Sequence, residues 1–118
     1  MKNMTETITR YISAWNTTTA DEIKAAITSC CHPQVTYTDK NTPKFTGIDD
    51  LVALILSAHE KFPGIGFSVL TSPEYFEGNC YYTWGMFLPG TGDVAGRDYM
   101  VYNEENKIVE IVGFLPAL

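Results

Sequence analysis

Residues 80–102 read CYYTWGMFLPGTGDVAGRDYMVY, and this stretch decides the fold class. Cys80 to Leu88 is a long run of aromatic and apolar residues, as strands are. Pro89-Gly90-Thr91-Gly92-Asp93 is turn chemistry, and Val94 to Tyr102 is a second run. Upstream, Glu77-Gly78-Asn79 is a turn, and Phe67-Ser68-Val69-Leu70-Thr71 reads as a strand continuing toward Tyr75-Phe76. Downstream, Asn103-Glu104-Glu105-Asn106 is a hairpin turn leading into a last strand from Lys107 to Leu115. Everything after Ile65 is therefore strand and turn.

The first half has a different period. Met4, Ile8, Tyr11, Ile12 and Trp15 recur at helical spacing between polar residues, which predicts an amphipathic helix ending near Asn16. Thr19-Ala20-Asp21-Glu22 reads as a capping box, and Ile23, Ala26, Ile27 and Cys30 form a second stripe that stops at His32-Pro33. Residues 34–39 form a strand rich in β-branched and aromatic residues. Residues 40–47 read as a loop. Ile48, Leu51, Ile55, Ala58 and Phe62 mark a third helix that ends at Pro63-Gly64.

Helix, helix, strand, helix and then four strands is an α+β order. It predicts three N-terminal helices packed on one side of a mainly antiparallel sheet. Glycines inside the strands (Gly85, Gly96, Gly113) predict a strongly curved sheet. A curved sheet covered by helices leaves a cone with an opening, the natural place for a ligand.

Composition narrows the partners. The chain has 118 residues, which predicts a single domain over 1–118, and 45% are apolar and 13% aromatic. Fourteen acidic against eight basic residues give a net charge of −6, which disfavours nucleic acid and anionic membrane surfaces. No stretch is long and apolar enough for a membrane span, and no signal peptide is recognisable at Met1-Lys2-Asn3. Cys30, Cys31 and Cys80 are a poor disulfide framework and read as reduced thiols in a cytoplasmic protein. A metal site at Cys30, Cys31 and His32 is disfavoured, because three adjacent residues do not converge easily on one ion. Neither metal nor cofactor is expected.

Three polar residues stand beside large apolar ones. Side chains alternate along a strand, so Asp39 projects with Val35 and Tyr37. Asp98 likewise projects with Met100 and Tyr102, leaving Arg97 and Tyr99 on the opposite face. Asp is disfavoured in mid-strand among aromatics, so Asp98 needs a role under any reading. Tyr11 either packs in the helix–sheet core or points its hydroxyl at a ligand. Asp39 either caps the turn before Asn41-Thr42-Pro43 or faces the cone. Taking a proton from carbon beside a carbonyl needs a base within hydrogen-bond reach, and the enolate oxygen needs donors. A carboxyl group donates only when protonated, which burial favours.

Taken in order, these segments resemble the NTF2-like superfamily, in its SnoaL-like and ketosteroid-isomerase-like branch. Arg10-Tyr11-Ile12-Ser13-Ala14-Trp15-Asn16 is similar to its first helix, and Thr19-Ala20-Asp21-Glu22-Ile23 to the start of its second. Val35-Thr36-Tyr37-Thr38-Asp39 with Phe45-Thr46-Gly47 is similar to its first strand and the glycine opening helix three. Gly96-Arg97-Asp98-Tyr99 and Asn106-Lys107-Ile108-Val109-Glu110-Ile111-Val112-Gly113-Phe114 resemble its final hairpin. The resemblance implies an NTF2-like cone. In the isomerase pattern it implies Tyr11 as oxyanion donor, Asp39 as proton shuttle and Asp98 as a second, neutral donor. In the polyketide-cyclase pattern Asp98 is the main acid/base. The family pattern often has proline after the first aspartate; here it is Lys40, in position to pair with Asp39.

Trp15, Tyr37, Ile55, His59, Phe62, Trp84, Met86, Met100 and Phe114 are the expected pocket wall. Two functions follow. One is a cofactor-independent isomerase, cyclase or dehydratase acting on a small apolar carbonyl compound. The other is a non-catalytic ligand-binding or dimerisation module. Aromatics on both faces of 80–88, with Tyr81 and Phe87 opposite Tyr82 and Trp84, predict a homodimer: one face lines the cone and the other meets a second copy.

Overall fold

The computed structural model describes residues 3–116, so the single-domain expectation for 1–118 reaches four residues beyond them. Helix α1 spans Met4–Trp15, α2 Ala20–Cys30 and α3 Ile48–Lys61. The strands are β1 (Cys31–Asp39), β2 (Thr42–Thr46), β3 (Gly66–Val69), β4 (Glu74–Phe76), β5 (Asn79–Leu88), β6 (Gly92–Tyr102) and β7 (Ile108–Phe114). They form one sheet in the order β2-β1-β7-β6-β5-β3, with β4 also on β5. Only the β1–β7 pair is parallel. This is the expected α+β arrangement of three helices on a curved, mainly antiparallel sheet.

The helices begin where local chemistry allows. The Asn3 side chain accepts from the Glu6 N–H at 3.0 Å and caps α1. At α2 the expected capping box is not formed: the Thr19 hydroxyl donates to Glu22 Oε1 at 2.8 Å and caps no backbone N–H. Both groups are exposed, and a charged acceptor competes well with an amide for the hydroxyl. Gly47 precedes α3 at φ +112°, a conformation that a side chain disfavours, while its N–H donates to Val35 O at 2.8 Å.

Three strand boundaries differ from expectation. Residues 42–46, read as loop, are edge strand β2, which pairs Tyr37 with Phe45 and tolerates Pro43 because one of its sides is unpaired. Strand β1 starts before Pro33, because its pairing with β7 skips from Cys31 to Thr36 and asks no N–H of the proline. The strand expected through 67–76 is two strands. Leu70 N and Thr71 N both reach Thr83 O, at 2.9 and 3.4 Å, and the ladder breaks there.

The core lies between the helices and the concave face. Met4, Ile8 and Tyr11 of α1, Ile23 and Ile27 of α2, and Leu51 and Ile55 of α3 pack on Val35, Tyr82, Met100, Ile108 and Ile111. Asn16 fastens the end of α1 to edge strand β3 by exchanging two hydrogen bonds with the Phe67 backbone, both 2.8 Å. Gly96 is the tightest point of the sheet. It pairs with Trp84, and an added Cβ would stand 2.3 Å from the indole Cζ2 and 2.8 Å from Phe114 O. The missing side chain lets the indole lie across β6.

Gly96→Ala therefore overpacks a site that backbone closes on one side. Urea denaturation should show a loss of about 1–3 kcal/mol. Gly85→Ala, whose Cβ would meet the movable Leu70 and Ser68 side chains at 3.1 Å, should cost less.

Candidate functional site

A cavity of about 580 Å³ opens between α1, α3, the concave face and the segment after β7. Its polar floor is built by cross-strand register. Tyr82 of β5 stands directly opposite Asp98 of β6, and Gly113 of β7 stands opposite Asp98 on the other side. The Tyr82 hydroxyl donates to Asp98 Oδ2 at 2.6 Å. Asp98 is 6% exposed. Because Gly113 has no side chain, three groups gather over it. The position its Cβ would occupy is 3.3 Å from the Tyr37 hydroxyl and 3.5 Å from both Asp39 Cβ and Asp98 Oδ1. No more than twice that distance separates the last two atoms.

Asp39 is held twice. Its Oδ2 accepts from the Tyr37 hydroxyl at 2.6 Å and its Oδ1 from the Asn41 N–H at 2.8 Å. The turn-capping and cavity-facing readings of Asp39 are thus both realised. Lys40 does not pair with it: no ion pair joins them among the described residues, and Lys40 Nζ donates to Pro116 O at 3.3 Å. That bond ties down the segment after β7, where Leu115 and Pro116 join the cavity wall.

Tyr11 is 1% exposed and also borders the cavity. Its hydroxyl pKa is raised well above normal, first by burial and then by the charge of Asp98. Burial also raises Tyr82 and Tyr37, with help from Asp98 and Asp39 respectively. All three therefore remain hydroxyl donors. An aromatic wall continues from Tyr11 to Trp15, Phe67 and Trp84, with centroid spacings of 6.5, 5.2 and 6.2 Å.

The Asp98 carboxyl is pushed up to about 6. Burial is the main cause, the Tyr82 hydroxyl and the Trp84 indole restrain the rise, and Asp39 adds to it. The Trp84 N–H nonetheless completes no hydrogen bond, with Asp98 or any other group. Near neutral pH Asp98 is thus mainly a carboxylate within easy reach of its acid form, the condition a proton-transfer group needs.

Of the expected pocket wall, Trp15, Tyr37, Phe62, Trp84 and Met86 border the cavity with Tyr11, Asp39 and Asp98. Four residues do not. Ile55 and Met100 are fully buried in the core beneath the cavity. His59 is engaged elsewhere, its Nε2 donating to Trp15 O at 2.7 Å. Phe114 projects from the outer face, since strand alternation gives Gly113 the inner one, and it lies under the Arg97 guanidinium at 5.6 Å. Three contributors were missed: Tyr82, Gly113 and the Leu115-Pro116 segment. Only the pairing register of β5, β6 and β7 could have found the first two.

The cysteines are poor reagents. The Sγ atoms of Cys30 and Cys31 lie 3.8 Å apart in the core. The Cys31 thiol is raised by its bond to Cys30 and by burial, and Cys80 is pushed up to about 11 by burial and Asp98. Among the described residues no group of three His, Cys, Asp or Glu side chains could hold a metal, and no helix is long and apolar enough to cross a membrane.

A family profile for the SnoaL-like domain matches residues 8–111. The chain belongs to the SnoaL-like family. Among solved structures it is similar to a candidate isomerase of that family from Agrobacterium tumefaciens, with TM-score 0.84 and 26% identity over 95% of this chain and 96% of that one. It is also similar to a candidate SnoaL-like polyketide cyclase from Jannaschia, with TM-score 0.74 and 16% identity over 94% and 83%. A protein of ketosteroid-isomerase-like fold from Catenulispora acidiphila, solved with trimethylamine, gives TM-score 0.73 and 12% identity over 94% and 85%. The fold is the NTF2-like cone. No curated protein matches significantly.

The raised Asp98 pKa links the SnoaL-like site to stability. The folded state holds this proton more tightly than the unfolded chain. Asp98 therefore favours folding fully below the ordinary value of 3.8 and loses that contribution as pH rises through about 6. Asp98→Asn removes the buried charge and keeps an acceptor for Tyr82. Denaturation at pH 8 should find it about 1–2 kcal/mol more stable than the native protein, with a flatter stability profile between pH 4 and 7. A variant less stable at pH 8 would contradict the raised pKa.

Proposed function

We propose that this protein is a cofactor-independent enzyme that moves a proton on a small apolar carbonyl compound, as an isomerase, cyclase or dehydratase does. The observation that carries the reading is Asp98: a buried carboxylate, pinned by Tyr82, near its own titration point, on the floor of an aromatic-walled cavity. An apolar wall favours an apolar substrate, and a burial-shifted carboxylate in a cleft favours acid/base chemistry.

The electrostatics favour one of the two assignments of the aspartates. A standing donor must be protonated at working pH, and Asp98 near neutrality is not. Asp98 is therefore the base that takes the proton from the carbon beside the carbonyl, and in its acid form it returns the proton. Tyr11, always protonated, donates to the oxygen on which the enolate charge develops. Asp39, already holding Tyr37 and Asn41, acts on Asp98 through its charge and shapes the floor. This matches the cyclase-type pattern, and the likeness to the Agrobacterium candidate isomerase supports proton transfer as the broader class of reaction.

On a ketone or β-dicarbonyl substrate that the native protein turns over, Asp98→Asn should lower kcat by about 10²–10⁴. The kcat/KM of the native protein should rise with pH through about 6, as the base ionises. Tyr82→Phe should move that limb to higher pH, because it deprives the buried carboxylate of its restraining donor. Full activity in Asp98→Asn would end the acid/base reading.

We also propose that the protein is a homodimer. On β4 and β5, Tyr75, Phe76, Tyr81 and Phe87 are 42%, 68%, 43% and 49% exposed. A run of exposed aromatics is costly to leave in water. Light scattering at micromolar concentration should give the mass of two chains, and Phe76→Asp with Tyr81→Asp should halve it. A native mass of one chain would contradict the proposal.

A further inference from the structure

The charged residues that border the cavity are sorted by depth. Asp98 lies on the floor, nearly out of water, and both Asp39 oxygens are engaged by Tyr37 and Asn41. Lys40 and Lys61 border the same cavity and are exposed, so they stand at its mouth. Among the described residues no other charged side chain borders it. Helical spacing puts Lys61 there. Leu54, Ser57, Ala58 and Lys61 follow one another at i, i+3, i+4 and i+7, and all four border the cavity. Lys61 is the last residue of α3, so it ends this inner stripe at the opening. Among the described residues its ammonium makes no ion pair, whereas Lys24 and Lys44 are paired with Asp49 and Glu110. Phe62, next in the chain, borders the cavity and is exposed, which gives the mouth an apolar rim beside the cation.

We propose that Lys61, with Lys40 also at the opening, selects a substrate that carries a carboxylate at the end remote from its reacting carbon. This rests on the acid/base reading and deepens it by naming the substrate class. The chain has a net charge of −6, which repels anions in general. Two ammonium groups at the mouth reverse the sign where a ligand enters. Inside, the charges of Asp39 and Asp98 push a carboxylate away from the floor. The field therefore orients a keto acid. Its apolar part lies along Trp15, Phe67 and Trp84, its carbonyl end reaches Asp98, and its carboxylate stays with the lysines. Lys40 already donates to Pro116 O, which leaves Lys61 as the main anchor. The mouth is open to water, so the contact is an exposed ion pair, enough to choose between ligands and too weak to hold one alone. A cation in the last turn of a helix also suits the helix dipole, a role that needs charge but no ligand. Ligand preference tells the two roles apart.

The test uses 2-naphthylacetate, a flat apolar group with a carboxylate, and 2-naphthylacetamide, its uncharged counterpart. Calorimetry on the native protein at low salt should find the carboxylate bound roughly threefold to tenfold more tightly, the scale of one exposed ion pair with a second cation nearby. Raising the salt to about 0.5 M should bring the two affinities together, because exposed charges are screened. Lys61→Met should remove most of the preference, Lys61→Glu should reverse it and Lys61→Arg should keep it. A role in the helix dipole alone would change stability and leave the preference where it was.

The proposal is overturned if the amide binds the native protein as tightly as the carboxylate, if neither binds, or if Lys61→Met leaves their ratio unchanged. Lys61 is exposed at a helix end, so its substitution spares the core, and the comparison on the native protein stands without any variant. The two readings fail separately: activity retained in Asp98→Asn removes the acid/base role, and a ratio indifferent to Lys61 removes only the anchor.

Discussion

A carboxylate has to be held inside an aromatic cavity, and the rest of this structure depends on how that is done. Asp98 is out of water and has no cation beside it among the described ion pairs. What holds it is a hydroxyl, Tyr82, placed directly across the β5–β6 ladder. A neutral donor stabilises the charge less than a guanidinium would, so the group stays near its titration point and is not locked in either form. A buried Arg–Asp pair would lock the charge in place; a buried Tyr–Asp pair leaves it free to titrate.

Two glycines make the arrangement possible, and both act through absence. Gly113 leaves room over β7 for Tyr37, Asp39 and Asp98 to approach one another, which couples the two carboxylates. Gly96 leaves room for Trp84 to lie across β6 toward Asp98. The curvature they were expected to mark is present, and the same missing side chains set the spacing of the polar floor. The fold and the site thus share a cause, as small residues on a concave face let a sheet bend and let functional groups approach.

The helices and long strands were legible because their hydrophobic periods are strong. Asp39, Asp98 and Tyr11 stood out because each polar group sits in an apolar pattern that does not need it. The short edge strand β2 was not legible, since Thr42-Pro43-Lys44-Phe45-Thr46 has no clear alternation and forms by hairpin pairing with β1. His59 and Phe114 were misjudged for a related reason. Spacing along a helix or strand gives a face but not what the face meets, and these two meet the α1 terminus and the outer surface.

By itself the sequence determined the order of the helices and long strands, the α+β class, the family resemblance and the faces on which Asp39 and Asp98 project, because these depend on local period and composition. Only the tertiary structure decided that Tyr82 restrains Asp98, that Lys40 reaches Pro116 and not Asp39, and that Trp84 is left with an unpartnered N–H beside the cavity. Those facts depend on which residues of distant strands fall opposite one another. Register is a property of the whole sheet, and no single strand carries it.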